Sequence, residues 1–249
     1  MKASVYSIEG KVLRQVDLPS VFSTPHREDL VKRAVLSEES MLYQPKGNYR
    51  WAGLNTSARY RGRKEDFGAV KNKGIPHLPH EVLPKGGLGK VKRVPHAVKG
   101  RRAHPPKPEK IIVEFINKKE HELALACALS MSADRKTVCD RLHVEVGVSL
   151  PIVMDASFEK LAKTKDVVKV LEALNIMRFI EKAKKNGTKS PLIVVAGGSI
   201  TKAAANLAGV DVVTVKDLSV KDLAPGTHAG RLTLYTEGAL PQIEKRFSA

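Results

Sequence analysis

The feature that most constrains this chain is a stretch of 66 residues, 45–110, with the composition of a segment that cannot build a core of its own. It carries 17 Lys/Arg against 4 Asp/Glu, a net charge of +13, together with 9 of the chain's 18 glycines and 8 of its 14 prolines. Gly plus Pro therefore makes up about a quarter of the stretch, the level at which a segment without a repeat reads as non-globular. Its apolar residues Trp51, Leu54, Phe67, Leu78 and Leu83 follow neither a helical nor a strand period. Ordering 66 backbones costs on the order of 70–130 kcal/mol at ~1–2 kcal/mol per residue, and such scattered side chains cannot offset it. A stretch this long without structure is either disordered or functional. Being basic throughout, it is expected to order on a polyanion. Folded back as a hairpin, arms of about 33 residues reach at most ~100 Å. The other residues imply a body with a radius of gyration near ~16 Å, so the hairpin would outreach it. No Gly-X-Y period or longer repeat occurs, which excludes collagen and solenoid architectures.

The remaining 183 residues hold 26 basic and 22 acidic side chains, close to balance, so most of the chain's net +17 belongs to one stretch. A pI near 9.9 points to polyanion partners. Aromatic residues at 5% leave few rings for base stacking, which makes backbone phosphates the expected target. No apolar run approaches the ~20 residues of a membrane helix. Residues 1–10 alternate polar and apolar and do not read as a signal peptide. Cys127 and Cys139 are too few for a disulfide framework and suggest a reducing, intracellular setting.

The body reads as α/β. Residues 3–8 and 12–16 flank a Glu9-Gly10-Lys11 turn and predict a β-hairpin. Thr24-Pro25 predicts a helix start, with Thr24 as N-cap and Pro25 at the first helical position. Glu28 and Asp29 suit its first turn, and Leu30, Ala34, Met41 and Leu42 its apolar face. A second helix is expected from Lys118 to Met131, capped by Asn117, with Leu123, Ala126, Cys127 and Ser130 on the buried side. Strands and helices then alternate. Strands are expected at 151–154, 192–196, 211–215 and 232–236, and helices at 165–174 and 200–207. A helical turn follows Ser219 and a helical tail closes the chain. Short continuous apolar strands between helices indicate a parallel sheet covered on both faces.

Catalytic signals are weak. Gly197-Gly198-Ser199 lies between a strand and a helix, where backbone N–H groups can meet a phosphate. Its spacing matches neither G-x-G-x-x-G nor G-x-x-x-x-G-K-[ST]. A plain strand-to-helix turn capped by Ser199 or Thr201 is the simpler reading, and a nucleotide-binding α/β enzyme with a basic nucleic-acid tether is the alternative. His77, His80, His96 and His104 lack cysteine partners and metal-ligand spacing, so no metal is expected. Glu38-Glu39 and Glu65-Asp66 read as solvated charge. The basic clusters are the stronger signal. Tyr49-Arg50-Trp51, and residues Arg59 to Lys64, interleave guanidinium groups with rings and glycine, and Lys90 to Arg93 and Lys99 to Arg102 repeat the basic theme. Candidate RNA contacts are Lys46, Arg50, Trp51, Arg59, Tyr60, Arg61, Arg63, Lys64, Lys71, Lys73, Lys90, Lys92, Arg93, Lys99, Arg101, Arg102 and Lys107.

Residues Trp51 to Ala58 (Trp-Ala-Gly-Leu-Asn-Thr-Ser-Ala) and Arg93 to Lys107 resemble the loop of the ribosomal large-subunit protein four family in its archaeal form. Asp17-Leu18-Pro19-Ser20-Val21-Phe22, Ala204-Ala205-Asn206-Leu207-Ala208-Gly209, Asp222-Leu223-Ala224-Pro225-Gly226 and Gly230-Arg231-Leu232-Thr233 are similar to it in the same order. The resemblance implies a non-enzymatic, ribosome-bound cytoplasmic protein without a cofactor. It implies a Rossmann-like three-layer body (residues 1–44 and 111–249) and a long extended, non-globular basic loop (residues 45–110) threaded through ribosomal RNA. The implied partners are large-subunit ribosomal RNA, neighbouring large-subunit proteins and the nascent polypeptide at the exit-tunnel wall, with no membrane. By position, Arg61, Gly62 and Arg63 are the candidates for the loop tip. Three departures from the family pattern stand out: Glu65 and Asp66 place acidic charge near that tip, Ile75 to Lys90 is longer than the matching stretch of some relatives, and only Lys184-Lys185-Asn186-Gly187-Thr188-Lys189 stands where many archaeal relatives carry a basic Arg/Gly-rich insertion.

Overall fold

A computed structural model describes residues 1–189 and 191–248, and divides into two units, Met1–Leu42 with Val113–Ala249 (the body) and Tyr43–Ile112 (the basic unit). Each unit is built differently.

In the body, β1 (Lys2–Tyr6) and β2 (Val12–Asp17) form the expected antiparallel hairpin, with Gly10 at φ +79° in its turn. Helix α1 spans Glu28–Ser40 and thus starts three residues after Pro25. Residues Ser20–Ser23 form a 3-10 turn, and the Thr24 hydroxyl donates to the Val21 carbonyl at 2.7 Å, so Thr24 closes that turn instead of capping a helix. Leu30 and Ala34 are buried as expected, but Met41 and Leu42 lie beyond the helix and are exposed. The basic unit supplies β3 (His80–Val82) and β4 (Leu88–Val91), an antiparallel pair. The body resumes with α2 (Lys118–Ala133), α3 (Arg135–Leu142), β5 (Ile152–Met154), α4 (Thr164–Ala173), α5 (Met177–Asn186), β6 (Leu192–Val195), α6 (Ile200–Ala204), β7 (Asp211–Thr214), α7 (Val220–Leu223), β8 (Thr233–Thr236) and α8 (Ala239–Ser248). Asn117 precedes α2 but makes no side-chain cap, and Leu123 is exposed on it, whereas Cys127 is buried with its thiol on the Pro25 carbonyl at 3.3 Å. Asp134 is the true side-chain cap of this region, accepting from the Lys136 and Thr137 amides at the start of α3.

The strands form one six-stranded sheet in the order β2-β1-β5-β8-β6-β7, parallel throughout except for the edge strand β2. Alternation along the strands divides the core in two. Val5, Val153, Leu192, Val194 and Tyr235 join one apolar cluster with residues of α1, α2, α7 and α8. Ile152, Met154, Ile193, Val195 and Leu234 join the other with α4, α5 and α6. A parallel sheet with helices on both faces follows, because each central strand must bury both sides. Tyr235 shows how the few polar atoms inside are handled. It is fully buried, meets Phe22 edge-on at 5.4 Å, and hydrogen-bonds Ser132 at 2.7 Å. Burial pushes its phenol up to about 12.

Glu38 corrects the reading of Glu38-Glu39 as solvated charge. Its carboxylate accepts from the Val220 and Lys221 amides at 3.0 and 2.8 Å and meets His121 Nε2 at 2.7 Å, tying α1, α2 and the start of α7 together. Burial alone would raise its pKa, but the imidazole and the two amides outweigh that and hold it below the ordinary carboxylate value.

Candidate nucleic-acid interface

Within the basic unit, two runs of chain lie side by side. A Cβ on Gly47 would stand 3.0 Å from the Pro108 ring, and one on Gly53 2.6 Å from the backbone of Gly100 and Arg101. Gly53 also sits at φ +74°, so this close approach of two backbones requires glycine there. Further on, Arg93 Nη1 donates to the Ala58 carbonyl at 3.1 Å, and the Arg59 amide to the His80 carbonyl at 3.2 Å. The pairing therefore runs 47 with 108, 53 with 100–101, and 58 with 93, which is hairpin geometry.

Beyond residue 57 the unit is more structured than its composition suggests. Strands β3 and β4, a 3-10 turn at Pro84–Gly86, and buried Ala58, Ala69 and Val70 make a small folded end. The expectation of a wholly non-globular stretch is thus corrected for residues 57–93. It is held by local turn bonds, by two longer backbone bonds (Arg59 to His80 and Lys92 to Pro79) and by side-chain bonds to carbonyls, none of which apolar periodicity reports.

Most candidate contacts are exposed: Lys46, Arg50, Trp51, Arg59, Tyr60, Arg63, Lys64, Lys71, Lys73, Lys90, Lys99, Arg101, Arg102 and Lys107. Lys92 and Arg93 are half-buried, with Lys92 Nζ on the Val98 carbonyl. Arg61 is the exception. It is 3% exposed, with Nη1 on the Phe67 carbonyl at 2.8 Å, so it is corrected from a surface contact and tip candidate to an interior residue. Gly62 lies under the Tyr60 ring and Arg63 is exposed. The sequence reading passed over exposed Lys85, although the Pro84-Lys85-Gly86-Gly87 turn that presents it is legible. Among the described residues, no Lys or Arg of this unit forms an ion pair. Seventeen cations meet four acids and pair with none of them, which leaves their charge for an external polyanion.

The histidines are placed individually. His80 is buried and has Nδ1 at 2.9 Å from the Gly89 carbonyl and Nε2 at 3.0 Å from the Pro76 carbonyl, so both ring nitrogens are occupied. His77, His96 and His104 are exposed. Among the described residues, no group of three or more His, Cys, Asp or Glu is placed to hold a metal.

The Gly197-Gly198-Ser199 turn is held by contacts to Glu159 and Leu161. Glu159 lies at the carboxyl ends of the parallel strands, where α/β sheets bind ligands. Its carboxylate accepts from the Ala196 amide at 3.0 Å and from the Thr236 hydroxyl. The Ser199 hydroxyl donates to the Glu159 and Leu161 carbonyls, and a Cβ on Gly198 would stand 2.7 Å from the Glu159 carbonyl oxygen. Neither Ser199 nor Thr201 caps the following helix, because both hydroxyls face carbonyls. A carboxylate seated at the turn repels phosphate, and this removes the geometric basis for a nucleotide site.

An α/β body with the Glu159 carboxylate at its sheet-end turn, together with a basic unit whose cations form no ion pair among the described residues, is the arrangement of a polyanion-binding protein. Comparison with known proteins specifies the class. The profile described as "Ribosomal protein L4/L1 family" matches residues 16–246. The chain is 42% identical to the large ribosomal subunit protein uL4 of Methanocaldococcus jannaschii and 43% identical to that of Methanococcus vannielii, and 38% identical to that of Haloquadratum walsbyi. Each alignment covers 99% of this chain and all of the relative. The chain belongs to the ribosomal protein L4/L1 family, a family of structural proteins without enzymatic activity.

Proposed function

We propose that this chain is a structural constituent of the large ribosomal subunit, bound to the ribosome in the cytoplasm, whose residues 45–110 are its principal ribosomal-RNA-binding element. The observation that carries the reading is the basic unit's charge: 17 cations, four acids and no internal ion pair among the described residues. Exposed Arg and Lys neutralise phosphates, and Tyr49, Trp51 and Tyr60, each more than half exposed, offer faces for bases or sugars. Full-length similarity to proteins named as large-subunit components supports ribosomal RNA and neighbouring ribosomal proteins as the partners.

The finer reading goes further. The body, residues 1–44 and 111–249, is Rossmann-like and anchors the outer end. Residues 45–110 extend as a hairpin through the RNA and reach the nascent-peptide tunnel, with the tip candidates Gly62 and Arg63 nearest the growing polypeptide. Arg61 is left out of that set because it is interior.

Co-sedimentation with large subunits after a high-salt wash tests the assignment. Binding of the chain to isolated large-subunit ribosomal RNA tests the mechanism. Roughly 8–12 neutralised phosphates predict a slope of log K against log[salt] on the order of −6 to −11. A slope near zero would exclude the polyelectrolyte mechanism.

A further inference from the structure

Arg61 differs from the other cations of the basic unit in facing inward. Its Nη1 donates to the Phe67 carbonyl at 2.8 Å, and its own carbonyl accepts from the Val70 amide at 3.0 Å. The turn at 66–70 wraps closely over the guanidinium: a Cβ on Gly68 would stand 2.6 Å from Nη1 and 2.9 Å from the Gly86 carbonyl oxygen. Phe67 in turn lies against Gly86, where a Cβ would overlap its ring at 1.9 Å. Through these contacts one side chain ties residues 59–61 to the 66–70 turn, which leans on the turn at Pro84–Gly86. His80 is the second internal tie, spanning the Pro76 and Gly89 carbonyls while its own carbonyl receives the Arg59 amide.

The remaining edge of the guanidinium, Nε and Nη2, is buried and has no hydrogen-bond partner among the described residues. That edge is the fork with which arginine grips a phosphate. Both nitrogens are closed to solvent here, so an RNA phosphate has no route to them without opening the fold around Arg61. Burying unmet donors on a cation is costly. A fold end built round such a group is weak by itself, and RNA contacts made by the flanking residues add stabilisation that holds it closed.

We infer that Arg61 is a positioning residue: it does not touch RNA, and from inside the basic unit it sets where the flanking Arg59, Tyr60, Arg63 and Lys64 are presented to RNA, so that RNA binding and closure of residues 57–93 are coupled. This deepens the RNA-binding reading above and rests on it.

The test uses the full chain and large-subunit ribosomal RNA transcribed in vitro, with affinity measured over a salt series. Arg59→Ala, which removes an exposed cation, should flatten the slope of log K against log[salt] by about 0.7–0.9. Arg61→Ala should lower affinity by about tenfold or more at fixed salt with the slope unchanged. In the complex it should also abolish hydrogen-exchange protection of the Val70 and Arg59 amides. Arg61→Lys, which can still reach the Phe67 carbonyl, should recover part of the affinity, and the body's Tm should stay the same in both variants. An Arg61→Ala slope flattened as much as that of Arg59→Ala would make Arg61 a direct phosphate contact and overturn the inference. Unchanged affinity and unchanged protection would overturn it as well. A wild-type chain with a shallow slope would instead overturn the RNA-binding reading itself, a result that no difference between the Arg61 variants can imitate.

Discussion

Arg231 in the body and Arg101 in the basic unit are the same residue used in opposite ways. Arg231 has its guanidinium 3% exposed, sits 2.7 Å from Asp211 and donates to the Asp222 carbonyl. Arg101 is exposed and forms no ion pair among the described residues. The contrast is general: every ion pair found among the described residues lies in the body. Body cations are used to hold the fold, as Arg141 is when it clamps the 225–229 loop through three carbonyls; burial, helped by the neighbouring Arg231 charge, lowers its pKa to about 10. Basic-unit cations are left unneutralised. Stability and RNA affinity should therefore respond to different residues, and mutations can separate them.

The largest expected effect comes from removing one side of the comparison. Replacing residues 45–110 with a short Gly/Ser linker removes +13 of the +17 net charge. Affinity for large-subunit ribosomal RNA should fall by at least about 100-fold, because most of the phosphate-neutralising charge is gone. Circular dichroism and Tm of the remaining body should stay close to those of the full chain. A linker variant that binds as tightly as the parent would show that the body carries the interface, and the division of labour would fail.

Next in size is a body variant that should leave RNA alone. Asp211 is held below the ordinary carboxylate value: burial would raise it, but hydrogen bonds and charge from Lys189 and Arg231 overcome that. Asp211→Ala removes the carboxylate beside the Arg231 guanidinium, which stays on the Asp222 and Gly209 carbonyls. Losing one member of a partly exposed pair costs less than a fully buried one, on the order of 2 kcal/mol. For a body of this size that is roughly 5 °C in Tm, readable by thermal melting. The salt slope of RNA binding should be the same as in the parent. A changed slope with an unchanged Tm would reverse the assignment of body charge to folding.

How much of this was legible in the sequence also divides along the two units. The central strands β5, β6, β7 and β8 are continuous apolar runs, and a strand buried on both faces leaves that mark directly in its residues. Helix α5, residues Met177–Asn186, escaped because Ile176 at its N-cap position is not a capping residue type and marks no helix start, while the Thr24-Pro25 signal was used by a 3-10 turn. Glu38 looked solvated because the amides it caps lie 182 and 183 residues away. In the basic unit the charge and the glycines were plain, and they point to a polyanion without any structure. The folded end at 57–93 was not, since its interior joins three small apolar residues, Ala58, Ala69 and Val70, to an arginine and a histidine that contact backbone carbonyls. Hydrophobic patterning is silent about a core of that kind. The Gly197-Gly198-Ser199 motif shows the reverse: the pattern was visible, but the Glu159 carboxylate seated at it comes from elsewhere in the chain.

The smallest predicted effect is the most specific to the body. Glu38 has its folded-state pKa below the ordinary value, because His121 and the Val220 and Lys221 amides outweigh the opposing cost of burial. A depressed carboxylate contributes stability that is fully present above its unfolded pKa, about 4.3, and is lost as pH falls through the folded value. Glu38→Gln keeps the shape but loses the charge that strengthens those hydrogen bonds, which costs on the order of 1 kcal/mol near neutral pH. Denaturant melts from pH 7 down to pH 3 should show this gap between the parent and Glu38→Gln narrowing as the parent's carboxylate protonates. A gap that stays constant over this range would mean that charge at Glu38 is not what ties α1 to α7. RNA affinity at pH 7 should be unaltered throughout, because the cations that meet RNA belong to the other unit. A loss of affinity in Glu38→Gln as large as its loss of stability would show that the body's internal ties and the basic unit's unpaired charge act on one surface.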